Sequence, residues 1–140
     1  MSDAKRILIV DDEPDIIETL DFALRRRGYV VAAARDGHEA LQAARRDPPD
    51  LMLLDVMLPG VNGYEVSRKL KHAMIVDPDQ PRFPILLLTA RRVNSVEREE
   101  FVSTWSRADG VVYKPFALDR LIAELEELMA DSMVEEAEHA

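Results

Sequence analysis

The chain has 140 residues, enough for one domain that buries its core without a disulfide or a structural metal. It contains no cysteine, which excludes a disulfide framework, a Cys-ligated zinc or iron–sulfur site and thiol chemistry, and which fits a reducing, cytoplasmic setting. Eighteen basic against 27 acidic residues give a formal net charge of −9, which argues against a nucleic-acid backbone or an anionic membrane as the main partner. Its longest apolar runs, such as Ile7 to Val10 and Ile85 to Leu88, are too short to cross a bilayer. Residues 1–6 lead into only four consecutive apolar residues, which does not make a signal peptide.

Along the chain, short β-rich runs alternate with longer helical stretches. Arg6 to Val10 predicts a buried strand, and Pro14 suits the first turn of a helix carrying Ile17, Leu20 and Leu24 and stopping near Gly28. Tyr29 to Ala34 predicts a second strand, and Asp36-Gly37 turns into a helix with Ala40, Leu41 and Ala44, ended by Pro48-Pro49. Leu51 to Asp55 is a third strand, followed by a loop at Pro59-Gly60 and Asn62-Gly63 and a helix over Tyr64 to His72. Three prolines in residues 74–84 predict an irregular connection. Pro84 to Thr89 is a fourth strand, and Ser95 to Arg107 a charged helix with Asn94 and Glu97 spaced as an N-cap and its partner. Val111 to Lys114 is a short fifth strand, and the stripe Leu118, Leu121, Ile122, Leu125, Leu128 and Met129 a last helix. The domain is expected over 1–130, with an acidic tail, 131–140, for which solvated fraying is the default and extension of the last helix or contact with a basic partner are the alternatives.

Five strand–helix pairs imply an α/β fold with a parallel sheet covered on both faces, and ligands of such open sheets bind at the C-terminal edge of the strands. The polar residues at that edge are Asp11 and Asp12 after strand one, Asp55 ending strand three, Thr89 ending strand four and Lys114 ending strand five. Three carboxylates brought together repel, and a hard divalent cation relieves them; a site of two or three carboxylates that keeps water suits Mg²⁺, with Mn²⁺ as the alternative. A single strand-end acid merely faces water more often than not, but a hydroxyl and an ammonium at the same edge favour a constructed site.

The blocks Ile7-Leu-Ile-Val-Asp11-Asp12-Glu13, Leu53-Leu-Asp55-Val-Met-Leu-Pro59, Leu88-Thr89-Ala90 and Tyr113-Lys114-Pro115-Phe116 resemble the signature blocks of response-regulator receiver domains, over about residues 6–129. The resemblance implies a flavodoxin-like, doubly wound five-stranded sheet of order 2-1-3-4-5 with five helices. It implies that Asp55 accepts a phosphoryl group from a sensor histidine kinase or a histidine phosphotransfer protein. Asp12 and Asp55 would ligate Mg²⁺ directly, Asp11 through water, and the Met57 carbonyl as a further ligand. Lys114 would pair with Asp55 at rest and with a phosphoryl oxygen afterwards, and Thr89 with another. Pro115 would follow a cis peptide bond. Such a chain is a signalling phosphoacceptor rather than an enzyme. It would signal to a downstream protein by contact or by passing the phosphoryl group on, without contacting nucleic acid or entering a membrane. No output domain is expected after it.

Some positions depart from the family pattern. Val111 stands where an aromatic commonly couples to the threonine, and Tyr113, roughly 6.6 Å along the strand, is too far to fill that slot and is expected to be a half-buried strand aromatic. The stretch from Thr89 to Lys114 is about three residues longer than the family leads one to expect, and residues 71–84 are also long. Arg91 and Arg92 are expected to be solvated, Trp105 to anchor toward the core, and His38, His72 and His139 to have no shared role. Asn62 replaces a frequent acid without loss. Two other functions share parts of the pattern. A haloacid-dehalogenase-like phosphatase needs a second acid two residues after the nucleophile, where Met57 stands. An unphosphorylated binding scaffold would not need Asp11, Asp12, Asp55, Thr89 and Lys114 together.

Overall fold

The computed structural model describes residues 4–90, 102 and 104–139, with the side chains of the last helix described to residue 132. Five strands form it: β1 (Arg6–Val10), β2 (Val30–Ala34), β3 (Leu51–Asp55), β4 (Ile85–Ala90) and β5 (Gly110–Lys114). All pairings are parallel, in the order β2-β1-β3-β4-β5. The helices are α1 (Pro14–Arg26), α2 (Gly37–Arg46), α3 (Gly63–Val76), α4, described at residues 102 and 104–106, and α5 (Leu118–His139). The predicted N-cap pair Asn94 and Glu97, and Arg91 and Arg92, lie outside the described residues.

Successive strand side chains point to opposite faces, so each central strand feeds two cores. Leu8, Val10, Met52, Leu54, Ile85 and Leu87 pack on one face with Ala40, Leu41 and Ala44 of α2 and Val66, Leu70 and Met74 of α3. Ile7, Ile9, Leu51, Leu53, Leu86 and Leu88 pack on the other with Leu20 and Leu24 of α1 and Leu121, Ile122, Leu125 and Met129 of α5. Burial on both sides explains why β1, β3 and β4 are nearly unbroken apolar runs. Each fully buried Leu or Ile contributes about 1.5–3 kcal/mol, so these three strands carry much of the folding drive and make a rigid floor for whatever stands at their ends.

Local chemistry sets the helix starts. Asp36 accepts from the Glu39 N–H at 2.8 Å and Glu39 accepts from the Arg35 N–H at 3.0 Å, closing the first turn of α2. Asn62 caps α3 through the Glu65 N–H at 3.0 Å, which an asparagine does as well as an acid. Helix α3 runs four residues beyond the expected His72, because Met74 continues the four-residue spacing of Val66 and Leu70 onto the same buried face; the irregular stretch is correspondingly shorter. Helix α5 continues through Asp131 to His139, where fraying was the default expectation: residues 131–139 hold neither glycine nor proline and include three glutamates, good helix formers. The Lys114–Pro115 peptide bond is cis.

Candidate functional site

Because the strands are parallel, their polar C-terminal residues share one edge. Val10 lies opposite Leu54, so Asp11 stands beside Asp55 one step on. Asp55 lies opposite Leu88, which puts Thr89 just past it, and Ala90 lies opposite Lys114. The Asp11 N–H bonds to the Ala34 carbonyl at 3.1 Å and the Val56 N–H to the Leu88 carbonyl at 3.0 Å, extending the ladder under the site.

Carboxylate oxygens of Asp11, Asp12 and Asp55 all lie within 4.8 Å of one another, with Asp11 and Asp55 buried and Asp12 exposed. Lys114 Nζ sits 3.2 Å from Asp11 Oδ2 and 3.4 Å from Asp55 Oδ1. Three carboxylates against one ammonium leave two formal negative charges in a pocket of hard oxygen donors, and this donor set fits a divalent cation. Asp11 also organises the backbone: its Oδ1 accepts from the Glu13 N–H at 2.9 Å, at the start of α1, where Glu13 itself makes no side-chain cap.

Asp55 Oδ1 accepts from the Met57 N–H at 3.3 Å in addition to facing Lys114. Oδ2 has no hydrogen bond to the described residues. Oδ1 is thus the oxygen held by both the Met57 N–H and the Lys114 ammonium. Burial pushes the Asp55 pKa above the usual carboxylate range and the Asp11 charge pushes it further, against the pull of Lys114 and the Met57 N–H. For Lys114, burial disfavours the charged ammonium, yet Asp55 and Asp11 outweigh it and the pKa ends above its ordinary value.

Close approach of the next helix fixes the loop after β3. A Cβ on Gly63 would run into the Asp55 carbonyl oxygen and lie 2.8 Å from Val56 Cα, and the Gly63 N–H bonds to the Val56 carbonyl at 2.9 Å. Only glycine lets α3 start this near the end of β3.

The structure therefore brings together Asp11, Asp12, Asp55 and Lys114, and places Thr89, buried, at the end of the strand between Asp55 and Lys114. Met57 lies just past β3, its side chain exposed and its N–H turned to Asp55. Val111 packs on the α2–α3 core and Tyr113 is half-buried. Trp105 is a correction: it does not anchor inward but stands 37% exposed, its ring under the Arg68 guanidinium at 4.7 Å. Sequence reasoning missed the Lys114–Asp11 bond and the role of Gly63. The glycine next to the cap Asn62 was the available signal for the second.

A family model of the response regulator receiver domain matches residues 7–126. The chain is 38% identical over 130 residues to the alkaline phosphatase synthesis transcriptional regulatory protein PhoP of Bacillus subtilis, covering 93% of this chain and 50% of that protein. It is 40% identical over 135 residues to the response regulator MprA of Mycobacterium ulcerans, covering 96% and 54%. The chain spans about half the length of these curated relatives. Among solved structures, the signal receiver domain of a signal transduction histidine kinase from Syntrophus aciditrophicus matches with a TM-score of 0.81 and 32% identity, covering 91% of this chain and 92% of that one. The BeF3-activated N-terminal receiver domain of Klebsiella pneumoniae RstA matches with 0.76 and 27%, covering 89% and 97%.

Proposed function

The chain belongs to the response regulator receiver domains, and from that membership we propose that it is a two-component phosphoacceptor switch in which Asp55 takes a phosphoryl group from a phosphohistidine. The observation that carries this reading is the convergence of three carboxylates and one ammonium at the ends of β1, β3 and β5. An Asp55 oxygen attacks phosphorus; a P–O bond forms as the P–N bond breaks, and the imidazole nitrogen keeps the electron pair of the broken bond and is protonated. Oδ1 is engaged by the Met57 N–H and Lys114, which leaves Oδ2 as the oxygen suited to attack. Asp12 and Asp55 would hold Mg²⁺ directly, Asp11 through a water and Met57 by its carbonyl, with Mn²⁺ as the alternative. When bound, the cation supplies charge neutralisation between carboxylate and anionic donor.

After transfer, Lys114 moves its charge from the Asp55 carboxylate to a phosphoryl oxygen, and the Thr89 hydroxyl donates to another. The product is a phosphorylated protein that signals, not a catalyst that turns over a substrate. Its donor would be a sensor histidine kinase or a histidine phosphotransfer protein, its output a downstream protein reached by contact or relay, and its setting the cytoplasm. On this reading the receiver unit would span 1–130, with 131–140 as an acidic tail. No helix among the described residues is long and apolar enough to cross a membrane. A haloacid-dehalogenase-like phosphatase is not favoured, since Met57 stands where that chemistry needs an acid.

Intact mass after incubation with acetyl phosphate tests the reading. One phosphoryl group should be gained with Mg²⁺, and none with a chelator or on Asp55→Asn. Steady release of phosphate from a model ester would favour the phosphatase, and no gain under any condition would favour a scaffold.

A further inference from the structure

On the side of the molecule formed by α3 and the end of α4, an open groove of about 570 Å³ is lined by Glu65, Arg68, Lys69, His72, Trp105 and Arg107. In a chain of net charge −9, this groove carries three formal positive charges and a titratable imidazole against one carboxylate. Lys69, His72 and Arg107 are exposed and make no ion pair among the described residues. Arg68 is held in place rather than waving: its guanidinium stacks on Trp105 at 4.7 Å and gives one N–H to the Trp105 carbonyl at 2.7 Å. A guanidinium has five N–H groups, so others remain for a carboxylate. Beneath them the buried Ser67 hydroxyl donates to the Ser106 carbonyl at 2.9 Å, tying α3 to the end of α4.

Arg107 supplies a separate observation. Its φ is +62°, the left-handed region that glycine enters freely and a side chain enters at a cost. The turn that ends α4 would be more stable with glycine, yet the residue there is an arginine lining the groove. Strain of this kind collects where a side chain is needed for something other than stability.

We propose that this groove docks an acidic peptide segment of a partner protein, with Trp105 as the apolar anchor and Arg68, Lys69 and Arg107 as carboxylate receivers. Exposed tryptophan and arginine side by side are the residue types that carry interface energy. The overall negative charge does not prevent this, because at physiological salt charges beyond about 8 Å are largely screened and the groove's own cations dominate. The site is independent of Asp55, so it stands or falls apart from the phosphoacceptor reading.

Trp105 is the chain's only tryptophan, so its fluorescence reports the groove directly. The probe is a short peptide of glutamates with leucine at every fourth position, beside the same peptide with glutamine for glutamate. Saturable quenching or a spectral shift is expected with the first alone, weakening with salt. Lys69→Glu with Arg107→Glu should weaken binding about tenfold or more, while Asp55→Asn leaves it unchanged. Arg107→Gly should raise the melting midpoint and weaken the peptide together, a combination that a purely structural arginine would not give. Equal response to both peptides, equal binding of an oligonucleotide, a dimer dispersed by Arg107→Glu, or charge reversal without effect would each overturn the proposal.

Discussion

Lys114→Met removes the ammonium from the centre of the cluster while keeping most of the apolar stem. Coulomb's law at an effective dielectric constant of about 20 assigns about 5 kcal/mol to a unit pair near 3.3 Å, and Lys114 Nζ stands 3.2 Å and 3.4 Å from two buried carboxylates. Part of that is cancelled by the dehydration of the lysine, and stripping one partner from a buried pair typically costs about 3–5 kcal/mol. Asp55 can take up a proton instead of staying charged, so the expected loss is about 3 kcal/mol near pH 8 in a chelator. The pH dependence follows from the raised Asp55 pKa. The native state binds that proton more tightly than the unfolded chain, so stability falls as pH rises from the ordinary carboxylate range through the raised value. The substitution widens this window, and the loss should shrink toward acid. Mg²⁺ should restore most of it. Urea unfolding from pH 5 to 9, with and without Mg²⁺, measures all three effects. A loss under about 1 kcal/mol, flat in pH and indifferent to Mg²⁺, would refute the electrostatic reasoning.

Gly63→Ala forces a methyl against the Asp55 backbone; it should cost about 1–3 kcal/mol and reduce phosphoryl uptake, read by urea unfolding and intact mass. Asp109→Ala leaves Lys71 without its 2.5 Å partner and the Ile85 N–H without its 2.7 Å acceptor. It should cost about 2 kcal/mol in the same assay while leaving Mg²⁺ binding intact. The Tyr29 hydroxyl, pushed up to about 12 by burial and by its bond to Glu126, should ionise above its ordinary range in an ultraviolet titration, and Glu126→Gln should bring it down. Its proton is held more tightly in the native state, so the stability it contributes is lost as pH rises from the ordinary value near 10 toward about 12. Asp12→Asn, at an exposed member of the cluster, should leave folding intact and weaken Mg²⁺ binding, followed by calorimetry.

What the sequence made legible was whatever depends on local pattern. The apolar runs of β1, β3 and β4 announce strands buried on both faces, and in a parallel sheet their final polar residues must share an edge, which placed Asp11, Asp55, Thr89 and Lys114 before any coordinates. Features that depend on the distance between elements were hidden. That Lys114 reaches Asp11 as well as Asp55 is set by strand spacing, and that Gly63 is needed for contact is set by how near α3 comes to β3. Prolines at 78, 81 and 84 masked the last turn of α3, whose evidence was one methionine on the buried stripe. Trp105 was expected inside because large apolar residues usually are, but a cation from the neighbouring helix covers its ring and lets it stand at the surface.

The central claim is that Asp55 is the acceptor, within a carboxylate cluster that a divalent cation completes. A crystal structure of the protein with Mg²⁺ and beryllofluoride tests it most directly. The expected result is a beryllofluoride group on Asp55, a cation held directly by Asp12, Asp55 and the Met57 carbonyl and through a water by Asp11, and Lys114 and Thr89 turned to the fluorines. A bare Asp55 with the cation bound elsewhere would contradict it.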